Sequence, residues 1–250
     1  MSEEVQVTGM VLSAMPIGEY DKRIVLLTRE RGKITAFARG ARRPRSPLLA
    51  ATTPFAFGVF EVYEGRNSYT MRSARIKEYF QDLTAMQPGI YYGFYFLELA
   101  DYFGQEGNDE TQMLNLLYIS VNAIRKGKMD PRLIRRIYEL RTLTVNGEAP
   151  QMFCCQECGG REKLKVFSMR ECAIYCEECA GKVKDPRPLR AATILACQYI
   201  ISVPMEKLYA FTVTEEILSE LEQLMNAYLN RYLDRKMKSL EILQAMENLL

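Results

Sequence analysis

The sequence predicts an α+β multidomain chain: a small β-barrel at the amino end, then an α-helical domain with an inserted four-cysteine module. Three observations predict it. Short β-branched and apolar runs divided by turn residues fill residues 1–80; apolar residues recur at helical spacing over 81–150 and 184–250; and 151–183 is rich in cysteine and lacks a periodic pattern. With 250 residues, 48% of them hydrophobic, the chain can bury more than one core.

The strands come first. Val5–Leu12 is apolar-rich, and Ile24-Val25-Leu26-Leu27-Thr28 is β-branched and apolar. Arg29-Glu30-Arg31-Gly32 follows as a turn, with Gly32 suited to a positive φ. Ile34, Ala36 and Ala38 then alternate with Lys33, Thr35 and Phe37. Phe57–Tyr63 is a further strand, turned by Glu64-Gly65-Arg66-Asn67 into Ser68–Arg72. About five short strands in about 80 residues suit a closed barrel, with the OB-fold the leading candidate.

Helices follow. Pro88-Gly89 opens a segment from Ile90 to Phe103 that places Ile90, Phe94 and Leu97 on one face, and Gly104 ends it. Asn108 or Asp109 can cap a second helix to about Lys126, with Met113, Leu117, Val121 and Ile124 as its stripe. Asp130-Pro131 is an N-cap followed by proline at the first helical position, and Asn146-Gly147 ends that third helix after Val145. Helical pattern resumes near Leu189. Thr214 before Glu215-Glu216 starts a last amphipathic run through Ile217, Leu221, Leu224, Tyr228 and Tyr232.

Composition excludes much. No stretch approaches the roughly 18 apolar residues of a membrane span. The acidic start Met1-Ser2-Glu3-Glu4 lacks the basic-then-apolar order of a signal peptide, so the chain reads as cytoplasmic. Seven cysteines, an odd count, argue against a disulfide framework. The absence of histidine removes Ser-His-Asp triads, Cys-His pairs and histidine-bound catalytic zinc. Neither G-x-x-x-x-G-K-[ST] nor G-x-G-x-x-G occurs. No pattern of carboxylates points to an enzyme site, and the chain reads as a non-enzyme.

Two constellations carry chemistry. Cys155-Gln156-Glu157-Cys158, 17 intervening residues, and Cys176-Glu177-Glu178-Cys179 have the spacing of a structural zinc site, one ion per chain. Gly159-Gly160 and Gly181 permit tight turns beside the knuckles, while Cys154 and Cys172 stand close enough in sequence to replace a ligand. Cys197, among Ile194, Leu195 and Ile201, reads as a small buried hydrophobe.

The second is charge. Net charge is only +2, yet residues 1–80 hold 13 Lys/Arg against 8 Asp/Glu. The excess lies in Lys22, Arg23, Arg29, Arg31, Lys33, Arg39, Arg42, Arg43 and Arg45, with Glu30 the one acid among them. Arginines in a loop beside a barrel can track phosphates, so the reading is a nucleic-acid interface, with Phe37, Tyr63 and Tyr69 as candidate stacking platforms.

In order along the chain, Gly18-Glu19-Tyr20-Asp21-Lys22, Leu27-Thr28-Arg29-Glu30-Arg31-Gly32-Lys33, Ala38-Arg39-Gly40-Ala41-Arg42-Arg43-Pro44-Arg45-Ser46, Tyr138-Glu139-Leu140-Arg141, the paired C-x-x-C and Lys238-Ser239-Leu240 resemble the RecO family of bacterial DNA-repair proteins. Where that family is glycine-rich before the third cysteine, this chain has Arg170-Glu171-Cys172-Ala173. The resemblance implies an OB-fold, a helical domain and a zinc module. It also implies binding of single- and double-stranded DNA, annealing of complementary strands, and help in loading RecA onto coated DNA in recombinational repair. The implied partners are RecR and the acidic-apolar C-terminal tail of single-strand binding protein, and the implied location is cytoplasmic, at the nucleoid.

On these grounds Lys22, Arg23, Arg31, Lys33, Arg39, Arg42, Arg43 and Arg45 are the candidate DNA contacts. Arg132, Arg135, Arg136 and Arg141 share one expected helix and are candidates for receiving the tail. The alternative class is a zinc-ribbon, OB-type RNA-binding protein; a third is a scaffold whose basic loop binds acidic protein.

Overall fold

The computed structural model describes residues 4–66 and 68–247. The acidic start Met1-Ser2-Glu3 and the turn residue Asn67 lie outside the described residues. The chain forms two compact units, Met1–Lys126 with Met237–Leu250, and Gly127–Lys236. Helices on both sides of residue 80 thus share the first unit with the barrel.

In the first unit, β1 (Glu4–Ile17), β2 (Asp21–Thr28), β3 (Gly32–Ala38), β4 (Phe57–Glu64) and β5 (Tyr69–Glu78) close into a barrel in the order β1-β2-β3-β5-β4. β4 returns to pair with β1, and only the β3–β5 pairing is parallel. Five strands in this order form an OB-type barrel, as the sequence predicts. Alternation supplies its interior: Val7, Val11, Ile24, Leu26, Ile34, Ala36, Phe60, Val62 and Met71 are buried together. Tyr69 is buried in the same cluster, so it is a core residue and not the stacking platform its position invited.

β1 is longer than the Val5–Leu12 run because it carries two partners. Residues 4–10 pair with β4 and residues 9–17 with β2. A bulge between Val11 and Ser13 shifts the register, which keeps Ala14 inward and turns Ser13, Met15 and Ile17 outward.

The helices are α1 (Leu48–Ala51), α2 (Gly89–Phe103), α3 (Thr111–Lys126), α4 (Pro131–Val145), α5 (Ala191–Ser202), α6 (Glu215–Leu229) and α7 (Lys238–Glu247). Among the described residues, no helix is long and apolar enough to cross a membrane. In the first unit, Asp109 accepts the Thr111 N–H (2.9 Å) at the start of α3. α2 buries Ile90 and Leu97 but leaves Phe94 43% exposed, edge-on to Phe55. α7 docks on α2 through Glu98, whose carboxylate accepts the Lys238 N–H (3.2 Å) and the Ser239 N–H (2.8 Å), a negative charge at a helix N-terminus.

In the second unit, Asp130 caps α4 by accepting the Arg132 N–H at 2.8 Å, with Pro131 at the first helical position. α6 stops at Leu229, short of the periodic run. Tyr232 lies past its end, where its hydroxyl still meets that of Tyr228 at 3.2 Å. The cysteine-rich segment holds a small sheet of β6 (Leu164–Ser168), β7 (Ala173–Cys176) and β8 (Pro186–Pro188) in the order β7-β6-β8. These strands are too short to show a period in sequence.

Gly32 closes the β2–β3 turn at φ +66°, and a Cβ there would sit 2.1 Å from the Gln105 carbonyl oxygen. Lys33 donates its backbone N–H to that same carbonyl at 2.9 Å. Gly32→Ala therefore combines left-handed strain with a backbone collision. It is expected to cost at least about 1–3 kcal/mol, read as a lowered melting temperature.

Candidate nucleic-acid interface and metal centre

The basic run divides into two groups. Three of its members are tied to structural partners. Lys22 is half-buried and donates Nζ to Thr52 Oγ1 (2.9 Å) and to the carbonyls of Leu49 (3.3 Å) and Thr52 (3.4 Å), stitching β2 to α1. Burial, and then the charge of Arg42, hold its pKa below the usual lysine value. Arg31 pairs with Glu64 at 3.6 Å, and Lys33 pairs with Asp101 at 3.5 Å and also reaches the Asp101 carbonyl. These three expected DNA contacts thus also have local partners, Arg31 only at ion-pair distance.

The others differ. Arg23, Arg39, Arg42, Arg43 and Arg45 are exposed, and among the described residues none forms an ion pair with a carboxylate. Arg42 instead donates Nη1 to the Gly18 carbonyl at 3.2 Å, and Arg43 lies 5.3 Å from the centroid of the Tyr20 ring. Arg45 takes φ +64° in the same loop.

Their loop is fastened to the β1–β2 turn. Asp21 Oδ1 accepts the Gly40 N–H at 2.7 Å, and the Tyr20 carbonyl accepts the Arg42 N–H at 2.8 Å. Within the loop, Arg43 donates its N–H to Gly40 O, and Ser46 to Arg43 O, both at 3.1 Å. The guanidinium groups thus project from an ordered turn.

A row of side chains crosses the barrel wall beside them. Met15 lies opposite Arg23, Arg23 opposite Phe37, Phe37 opposite Thr70, and Thr70 opposite Tyr63. Directly opposed residues share a face, and here it is the outer one: Met15 and Arg23 are exposed, the rest half-buried. Arg72 covers Tyr63, with its guanidinium 5.8 Å from the ring centroid and bound to Glu4 at 2.7 Å. Phe37 keeps the position of a stacking surface; the Arg72 that covers Tyr63 is locked in place by Glu4, whereas the Arg43 over Tyr20 has no carboxylate to hold it there. The sequence reading missed Tyr20, Met15 and Ile17, although Gly18-Glu19-Tyr20 is visibly a turn.

In the second unit the two C-x-x-C pairs converge. The sulfurs of Cys155, Cys158, Cys176 and Cys179 all lie within 4.8 Å of one another, and Cys158 and Cys176 are 3.8 Å apart. A tetrahedral thiolate site with bonds of about 2.3 Å has sulfur–sulfur edges of about 3.8 Å, so the four can hold one metal ion. Gly159 turns the first knuckle at φ +72° and donates its N–H to the Cys155 carbonyl (2.9 Å). Cys154 and Cys172 lie outside the cluster; Cys172 Sγ faces the Met169 carbonyl at 3.7 Å.

Burial pushes the Cys155 thiol up, but backbone N–H groups from Cys158, Cys176 and Glu157 outweigh it and bring it to about 6. Burial, and hydrogen bonds from the Cys179 S–H to the neighbouring sulfurs, push Cys179 up to about 12. Four sulfurs this close cannot all ionise unless a cation offsets their repulsion, which is what a bound metal supplies.

All four α4 arginines have partners within the chain, and two of them, Arg135 and Arg136, are buried. Arg132 forks onto Glu215 (2.8 and 2.8 Å) and also binds Asp130. Arg135 and Arg136 are each 4% exposed and bind the two oxygens of the fully buried Glu139, at 2.8 and 2.9 Å; Arg136 also reaches Asn226. Arg141 donates to the Ile200 and Ile201 carbonyls at the end of α5. Of these candidates for receiving a partner tail, Arg135 and Arg136 are drawn into the interior by Glu139 at i+4 and i+3.

An OB-type barrel and a helical unit with a four-thiol cluster place the chain among barrel proteins carrying a metal-binding module, and comparison with known proteins identifies which. Residues 1–80 match the family described as Recombination protein O N terminal, and residues 88–241 the one described as Recombination protein O C terminal. The DNA repair protein RecO of Alkaliphilus metalliredigens is 30% identical over 95% of this chain and 98% of its own length. Those of Acetivibrio thermocellus (27%, 98% of each chain) and a Thermoanaerobacter species (28%, 96% of this chain and 97% of that one) are similar over the same span. The chain belongs to the RecO family of DNA repair proteins.

Two outcomes follow from the geometry. Elemental analysis should find one metal ion per chain, lost in Cys158→Ser and Cys176→Ser and retained in Cys172→Ser; metal content unchanged in the first two would remove these sulfurs from the ligand set. Glu139→Ala leaves two buried guanidinium groups without their shared carboxylate, and denaturant unfolding should show a loss of about 3–5 kcal/mol.

Proposed function

We propose that the chain is a non-enzymatic recombination mediator that binds single- and double-stranded DNA and anneals complementary strands. In this reading it works with RecR to help load RecA onto DNA coated by single-strand binding protein, in the cytoplasm at the nucleoid. The observation that carries it is the set Arg23, Arg39, Arg42, Arg43 and Arg45: exposed, without carboxylate partners among the described residues, on an OB-type barrel. Residues 1–80 are then the DNA-binding segment, and 151–183 a module clamped by zinc through Cys155, Cys158, Cys176 and Cys179.

Zinc suits four soft thiolates in a closed tetrahedral set, and a site closed by protein ligands has a structural role. The basic loop supplies what annealing needs. Two complementary strands repel through their phosphates, and guanidinium groups shared between them lower that repulsion without a bond being made or broken. RecR and the C-terminal tail of single-strand binding protein are the partners that family membership favours, and the tail is not assigned to the α4 arginines.

The decisive experiment is annealing of complementary strands precoated with single-strand binding protein, with no nucleotide added. Alongside it, Arg39, Arg42, Arg43 and Arg45→Ala should flatten the dependence of log affinity on log salt by about 0.7 per lost phosphate contact on single strands, about 2–3 in all. Affinity and slope both unchanged would exclude the loop as the DNA site, and a marked preference for structured RNA would favour the RNA-binding class.

A further inference from the structure

Exposed apolar side chains scattered singly over a surface carry no message. Here they cluster. Of the eight large hydrophobics exposed among the described residues, Met15 (55%), Ile17 (38%) and Tyr20 (40%) stand on the β1–β2 hairpin, and Leu49 stands on the adjoining α1, where its carbonyl receives Lys22 Nζ. Met15 and Ile17 are two residues apart on one outward face, next to the turn that carries Tyr20.

The hairpin is also built to hold its shape. The Tyr20 carbonyl is bound by the Arg42 N–H, the Gly18 carbonyl by Arg42 Nη1, and Asp21 by the Gly40 N–H. The Arg43 guanidinium lies over the Tyr20 ring at 5.3 Å. An aromatic ring held beside guanidinium groups that lack carboxylate partners is ordered before any ligand arrives, so stacking on it loses little conformational freedom.

We propose that Tyr20, flanked by Met15 and Ile17, is a platform for unpaired nucleobases, with Arg42 and Arg43 holding the neighbouring phosphates. The inference rests on the DNA-binding reading and deepens it. It gives the barrel a means of distinguishing unpaired bases from duplex, because a base inside a helix has both faces already stacked. Charge selects the occupant: the cluster is rimmed by cations lacking carboxylate partners, which suits a polyanion, and the ring and thioether suit the flat apolar faces that nucleobases present.

The test uses the full chain and two probes of equal length, oligo(dT) and an abasic deoxyribose-phosphate strand, measured by fluorescence anisotropy over a range of salt. Tyr20→Ala should weaken oligo(dT) binding roughly five- to hundred-fold, the effect of one or more lost stacks, while leaving the salt slope unchanged because no phosphate contact is lost. The abasic strand should bind the variant as it binds the parent, Tyr20→Phe should restore oligo(dT) affinity, and Met15→Ser with Ile17→Ser should weaken oligo(dT) in the same base-dependent way.

Equal affinity of Tyr20→Ala and the parent for oligo(dT) overturns the platform. Parallel weakening on both strands also overturns it, since Tyr20 would then act only by holding the basic loop. Tyr20-dependent binding of poly-glutamate with oligo(dT) binding unaffected would reassign the hairpin to an acidic protein. Failure of the unmodified chain to bind oligo(dT) at low salt would instead overturn the DNA-binding reading itself.

Discussion

The barrel depends on one strand serving two neighbours. β1 gives its first half to β4 and its second half to β2, and the bulge between Val11 and Ser13 lets a single strand do both. Without that switch the sheet would have two open edges and no closed interior. The same bulge decides which side chains face outward over the last turn of the strand. Met15 therefore stands opposite Arg23, and the β1–β2 turn emerges beside the loop that follows β3. Barrel closure and the shape of the basic surface are consequences of one register.

That register explains why the arginines of the loop are presented rather than absorbed. Asp21 reaches this loop from the start of β2, and its carboxylate could serve as an ion-pair partner. It is occupied instead by the backbone N–H of Gly40, a contact that needs the φ of +65° adopted there. Arg42 satisfies part of its guanidinium on the Gly18 carbonyl, which is neutral. Positive charge is thereby retained on the surface at full strength, where it can be matched by phosphate, while the backbone contacts keep the loop in one shape.

Much of this was legible in the sequence. The five strands, the positive φ of Gly32, the Asp130-Pro131 start of α4 and the convergence of Cys155, Cys158, Cys176 and Cys179 all follow from local chemistry: alternation, turn geometry, capping and thiolate spacing. What was not legible depends on neighbours distant in sequence. The bulge in β1 leaves no mark on hydropathy, so the strand reads as ending near Leu12. Tyr69 and Phe37 look alike as strand aromatics, and only the register of β3 against β5 sends one inward and the other outward. Phe94 fits the apolar stripe of α2 by spacing, yet it packs at the rim against Phe55. Lys33 lies 68 residues from Asp101, beyond the reach of any local pattern.

Arginine shows most clearly where sequence does carry the answer. Two groups of this side chain have opposite fates. In α4, Arg135 and Arg136 have Glu139 at four and three residues, on the same helical face, and the pairing draws all three charges into the interior, where one carboxylate serves two cations. In the stretch from Lys22 to Arg45, Glu30 is the one glutamate and Asp21 just precedes it. Glu30 accepts the Thr8 N–H at 2.7 Å, and Asp21 the Gly40 N–H. Both of these carboxylates accept backbone N–H groups, and among the described residues no ion pair joins Arg23, Arg39, Arg42, Arg43 or Arg45 to a carboxylate. Density of basic residues alone does not separate a structural network from a binding surface. Whether a carboxylate actually pairs with them does, and in this chain it separates the arginines of α4 that bind Glu139 and Glu215 from those of the basic loop that are able to meet phosphate.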